Sequence, residues 1–132
     1  MGLAELNYLL DHMTEATTTP DAHFDCIHML SDDHWATLRT ELANRPPAWR
    51  ECFAYVLSQG PEDNALPLLS GLLRDPNTDV AQQAALSLVD LVDLFPETEL
   101  PVADVAVMRV IAENPTDSLA NLRAFLSQRD PT

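Results

Sequence analysis

Apolar residues recur at spacings of three and four along nearly the whole chain, and most of the ten prolines fall between these runs. This pattern predicts an all-α fold of about eight helices, because nowhere does the period of two that marks a strand take over. Leu3, Leu6, Leu9, Leu10 and Met13 predict a first helix from about residue 2 that ends in Thr17, Thr18 and Thr19, whose β-branched side chains disfavour it. Thr19 is placed to cap a second helix, with Pro20 in its first position and Phe24, Ile27 and Leu30 on its apolar stripe. Ser31 caps a third, carrying Trp35, Leu38 and Leu42, which must end before Pro46 because Arg45 is pushed out of helical geometry by the following ring. Pro46 and Pro47 open a fourth helix with Trp49, Phe53, Val56 and Leu57, and Gly60 suits the left-handed position that closes it.

Pro61 starts a fifth helix with Glu62 and Asp63 at its positive end and Leu66, Leu69, Leu72 and Leu73 on its apolar face, locally weakened at Pro67 and Gly71. The turn Asp75, Pro76, Asn77 leads into a long sixth helix, about Thr78 to Leu94, with Val80, Ala84, Leu88 and Leu91 inward and Pro96 beyond its end. A seventh helix from about Pro101 carries Val105, Met108 and Ile111, and an eighth from Pro115 carries Leu119, Leu122 and Leu126. With 132 residues and 46% of them apolar, one domain over residues 1–132 is expected, with N-terminal helices over 1–30, three helix pairs over 31–127 and a tail over 128–132.

The chain repeats itself. A shift of 31 residues places Leu38 on Leu69, Leu42 on Leu73, Trp49 on Val80, Ala54 on Ala85 and Leu57 on Leu88. A shift of 39 places Leu66 on Val105, Leu69 on Met108, Leu72 on Ile111, Pro76 on Pro115, Val80 on Leu119 and Ala85 on Ala124. Three successive two-helix units are the signature of a short α-solenoid, in which neighbours must stack to complete a core. The stretch Leu66 to Leu88, with its Asp75-Pro76 turn, Val80, the Ala84-Ala85 pair and Leu88, resembles a HEAT repeat. The second helix of such a repeat begins after an Asp-Pro turn with Val-Arg and continues through small residues. Ala81 stands where the family has arginine, whereas the preceding unit has Trp49-Arg50 at the equivalent place. The resemblance covers about residues 32 to 127, at spacings below the roughly 40 to 47 residues usual for the repeat. It implies an interaction scaffold and carries no catalytic residue across.

Charge narrows the partners. Twenty-one Asp and Glu stand against seven arginines, with no lysine, for a formal charge of -14, which disfavours nucleic acid and anionic membranes and favours a basic protein. Between Glu51 and Asp104 ten acidic residues meet one base, Arg74. At 100° per residue, Asp79, Gln83, Leu86, Asp90 and Asp93 fall on one stripe of the sixth helix, opposite its buried face. Leu86 aligns with Tyr55 one unit earlier and Phe125 one unit later. This row either packs between units or forms exposed anchors ringed by Glu51, Asp79, Asp90 and Asp93. The acidity itself also suits a solvated surface or a salt-adapted chain.

No catalytic constellation stands out, and the chain is not expected to be an enzyme or to carry a cofactor. His12, His23, His28 and His34 cluster early with Cys26 among them, but His28 lies about 140° around the helix from His23, so one helix cannot offer His23, Cys26 and His28 to one tetrahedral metal. No metal is expected. Cys26 with His28 lacks the marks of a nucleophile and base, and two cysteines do not make a disulfide framework. Neither a secretory signal nor a run of about 20 apolar residues is present, so a cytoplasmic location is expected.

A small, strongly acidic helical-repeat chain is similar to the immunity proteins that bacteria use against polymorphic or secreted toxins, several families of which have HEAT-like folds. That resemblance implies a protein that covers the basic site of a cognate toxin effector, with Glu51, Tyr55, Asp79, Gln83, Leu86, Asp90 and Asp93 in the contact and Tyr55, Leu86 or Trp49 as anchors. The alternative is a HEAT-like adaptor or assembly factor that recruits another protein or peptide.

Overall fold

A computed structural model describes residues 2–18, 20–114 and 116–129, with the backbone alone for Thr17 and Arg129. The described residues are helical with no strand: α1 (Leu3–His12), a 3₁₀ turn (Met13–Thr17), α2 (Pro20–Ile27), α3 (Asp32–Leu42), α4 (Pro47–Leu57), α5 (Glu62–Leu72), α6 (Thr78–Leu94), α7 (Val102–Ala112), a 3₁₀ turn (Asp117–Leu119) and α8 (Ala120–Arg129). The expected all-α class is the observed one. No helix among the described residues is long and apolar enough to cross a membrane. The expected cap at Thr19 and helix start at Pro115 lie outside the described residues.

Local chemistry sets the helix ends. Ser31 Oγ accepts from His34 N at 3.4 Å while Ser31 N donates to His34 Nδ1 at 3.2 Å, a reciprocal cap with histidine in the role that Glu or Gln usually takes. Pro47 occupies the first position of α4, where its missing N–H costs nothing. Gly60 closes that segment at φ +83°. Asn77 Oδ1 accepts from Asp79 N at 3.0 Å and Val80 N at 3.2 Å, which makes Asn77 the cap of α6.

Two details differ from expectation, and the expected weak point at Pro67 stays within an unbroken helix. The first helix tightens at Met13 into a 3₁₀ turn, whose three-residue repeat puts Met13 and Ala16, both buried, on one face against α2 and α4. Pro67 does not interrupt α5: it lies on the exposed side, and the helix forgoes only the bond to the Asp63 carbonyl. The buried side of α5 is therefore Ala65, Leu68, Leu69 and Leu72, with Leu66 half-buried. Last, Thr116 is extended rather than helical, and α8 starts at Ala120 after the turn Asp117–Leu119.

The even-numbered helices pack in chain order, α2 on α4, α4 on α6 and α6 on α8, and the association of α4 with α6 is the most extensive. Both central helices are buried on most sides, and the small residues Ala54, Ala84 and Ala85 among their buried positions permit close approach. Within the expected helix pairs, α5 packs on α6 and α7 on α8, whereas the close neighbour of α3 is α1, and α3 with α4 is not among the closely packed pairs. Residues related by the 31-residue shift share their environment: Leu38 and Leu69, Ala54 and Ala85, and Leu57 and Leu88 are all fully buried. The 39-residue shift holds for Leu69 with Met108 and Val80 with Leu119, but Ala124 is exposed where Ala85 is buried. Among the described residues α8 packs on α6 and α7.

Arginines tie the elements together. Arg45 Nη1 and Trp49 Nε1 both donate to the Leu10 carbonyl, at 3.2 and 3.3 Å, which satisfies an otherwise orphaned acceptor in the last turn of α1. Ser70 Oγ on α5 and Arg74 Nη1 just beyond its end donate to Asp104 Oδ1 of α7 at 3.0 and 2.8 Å, which accounts for the burial of that carboxylate.

Candidate functional site: the outer face of α4 and α6

Glu51 and Tyr55 stand one turn apart on α4, and Gln83 lies on α6. These three residues meet around a cavity of about 250 Å³ whose remaining wall is Cys52. Glu51 is exposed, Tyr55 and Gln83 are half-buried, and Cys52 is almost wholly covered. Gln83 Nε2 donates to Ser87 Oγ at 3.1 Å, and Ser87 is itself buried, so the amide is held by its nitrogen end. Burial, and then the Glu51 carboxylate, push the Cys52 thiol up from its ordinary value. Cys26 is likewise pushed up by burial, then by Glu5 and Asp25. Both shifts are opposite to what a thiolate nucleophile requires.

The other four predicted residues extend the face without lining the cavity. Asp79, Asp90 and Asp93 are exposed, and Leu86 is half-buried against the core. From Asp79 to Asp93 is about 21 Å along the axis at 1.5 Å per residue, so the stripe is a strip for an extended contact rather than one pocket. Partial desolvation on the helix, and then Asp93 one turn on, hold the Asp90 carboxyl above the usual carboxylate range. Among the described residues Glu51, Asp79, Asp90 and Asp93 have no ion pair, because the arginines that pair with carboxylates do so elsewhere: Arg45 with Glu41, Arg50 with Asp75, Arg74 with Asp104.

The two alternatives for the Tyr55, Leu86 and Phe125 row combine. Phe125 is buried, while Tyr55 and Leu86 pack on the core with an outer edge still accessible. Phe24 on α2 was absent from the predicted site, yet its ring meets Tyr55 with centroids 5.6 Å apart, and it too is half-buried. It precedes Tyr55 by the same 31 residues that separate Tyr55 from Leu86, so extending the repeat one unit toward the N-terminus would have found it. Asp21, Asp25 and His28 flank it, all exposed.

Trp49 is not an anchor. It is 4% exposed, donates to the Leu10 carbonyl, packs on Phe53 at 5.1 Å and lies under the Arg45 guanidinium at 5.5 Å, so it belongs to the core. The early histidines are engaged separately: His23 is buried and its Nε2 donates to the His12 carbonyl at 2.7 Å, while exposed His28 donates to the Gln59 carbonyl at 3.1 Å. Among the described residues no group of three or more His, Cys, Asp and Glu side chains is arranged to hold a metal ion. No family model, curated protein or solved structure matches the chain.

Proposed function

We propose that the chain is a protein-binding module, a short α-solenoid of HEAT-like helix pairs, that acts as an immunity protein by covering the basic site of a toxin with the face of α4 and α6. The observation that carries this reading is the run of unpaired carboxylates, Glu51, Asp79, Asp90 and Asp93, beside accessible edges of Phe24, Tyr55 and Leu86. A carboxylate strip steers a cationic protein into encounter, and apolar edges within it slow the dissociation of what arrives. Neither role asks for catalysis, and a cytoplasmic location goes with protection of the producing cell.

Affinity capture with the whole chain at low salt, followed by a growth assay, tests the reading. One basic protein recovered in equal amount, whose toxicity the chain suppresses, is the expected result. Replacing Asp90 and Asp93 together by Lys should slow association and flatten its salt dependence. Several unrelated proteins, or none, would overturn the reading.

A second surface favours the adaptor alternative. Between α3 and α5 runs a groove of about 450 Å³ lined by Leu42, Ala43, Gly71, Leu72 and Pro76, with Arg39, Arg50 and Asp75 also along it. Such an apolar-floored channel is the kind of place where a solenoid takes a peptide. Binding that survives the Asp90 and Asp93 reversal but is lost on filling the groove at Gly71 would select this alternative.

A further inference from the structure

We propose that the cavity between α4 and α6 receives a single arginine side chain of the basic partner. The proposal rests on reading this face as the partner surface, and it adds which group enters and which atoms hold it.

Three of the four residues that line the cavity offer a hydrogen-bond acceptor or an aromatic face, and Cys52 closes it with a thiol. The Glu51 carboxylate has no partner among the described residues. Gln83 gives one of its two N–H groups to Ser87, which turns the nitrogen end of the amide along α6, and Oε1 has no hydrogen bond among the described residues. Tyr55 contributes a ring packed at a tilt against Phe24, and its hydroxyl has no bond among the described residues. No cationic side chain lines the cavity to compete for these acceptors.

Size selects a side chain over a cofactor: about 250 Å³ lies below the roughly 300–1,000 Å³ of pockets that enclose drug-sized molecules. Geometry selects arginine over lysine. Two separate acceptors on different helices suit a planar fork with five donors, and the same plane stacks on a tyrosine ring, whereas an ammonium is a compact, strongly hydrated point charge. Asp79 and Asp90, on α6 to either side of Gln83, add attraction without occupying the cavity.

The test is an NMR titration of the full chain at low salt with N-acetyl-L-argininamide and, in parallel, its lysine counterpart. Saturable shifts at Tyr55 and Gln83, with lysine weaker by about fivefold or more, are expected for a planar, bidentate site. Glu51→Gln should weaken arginine by a similar factor. Gln83→Glu should tighten it, because the guanidinium then meets a charged carboxylate in place of a neutral amide oxygen. Equal, unsaturated shifts from both probes, spread over all exposed carboxylates, would overturn the proposal, as would loss of binding in Gln83→Glu with the fold intact. The two readings fail separately. A saturable arginine site in a chain that neutralises no basic protein leaves the cavity standing and removes the immunity role, whereas a neutralised partner whose affinity ignores Glu51→Gln removes the cavity and leaves the face.

Discussion

Arg50 on α4 grips Asp75 at two points, Nε to Oδ2 at 2.7 Å and Nη2 to Oδ1 at 3.2 Å, and so fastens α4 to the turn that launches α6. Asp75 Oδ1 also accepts from Asn77 N at 2.9 Å, so one carboxylate shapes the turn and ties it to the neighbouring helix. Both side chains are largely covered, at 16% and 8% exposure. Removing one partner strands the other in a poorly solvated place, and Asp75→Ala should cost about 3–5 kcal/mol of folding stability. Combining it with Arg50→Met should cost less than the sum of the single changes. A double-mutant cycle by urea denaturation measures this, and a single-variant loss near zero would contradict it.

The cap of α6 is a smaller, separate test. Asn77→Ala removes the acceptor for Asp79 N and Val80 N and should lower stability by about 1 kcal/mol. Asn77→Asp keeps the acceptor and should stay close to the parent in the same denaturation series.

Gly60 has two reasons to remain glycine. Its φ of +83° is left-handed, and a Cβ there would lie 3.3 Å from Phe95 Cε2. The backbone alone makes Gly60→Ala unfavourable by about 1–2 kcal/mol. Phe95→Leu should relieve the ring contact, so the alanine should cost less in that background, with the backbone share remaining. An identical cost in both backgrounds would show that the ring gives way freely.

Asp90 supplies a pH dependence whose sign is fixed by its raised pKa. Below the ordinary carboxylate range the group is neutral in folded and unfolded chains alike. Between the ordinary and the raised value the folded chain holds the extra proton, so the stability contributed at this position falls as pH rises through that window. Above it, the folded state bears the full cost of a partly desolvated carboxylate beside Asp93. Asp90→Asn should therefore melt higher than the parent at neutral pH and together with it in acid. Asp93→Asn should recover a smaller part, because burial is the larger cause of the shift. Equal melting temperatures of Asp90→Asn and the parent at neutral pH would refute the assignment.

The helix boundaries were readable because short-range chemistry sets them: Ser31, Pro47, Gly60 and Asn77 each act through bonds or dihedrals within a few residues. Burial was readable where the repeat imposes it, as at Leu38 with Leu69 and Leu57 with Leu88. What escaped depends on how helices sit side by side. Periodicity marks Trp49 as apolar, but only packing shows that its indole caps α1 rather than meeting a partner. Glu51 and Gln83 were both in the predicted set, yet their shared cavity depends on the lateral offset of α4 against α6, which no spacing along one helix encodes. The neighbour of α3 escaped for the same reason: the repeat pairs it with α4, and the fold sets it against α1.

The arrangement of α4 and α6 also governs the order in which the molecule comes apart. These two helices share the most extensive contact, and among the described residues α2 and α8 each pack on one even-numbered neighbour. Amide hydrogens of Phe53, Val56, Ala84 and Leu88 should thus be the slowest to exchange with solvent, and those of α8 among the first. Tyr55 and Gln83 ride on the two helices that open last, so their cavity keeps its shape before any partner arrives, and little ordering free energy is lost when one does.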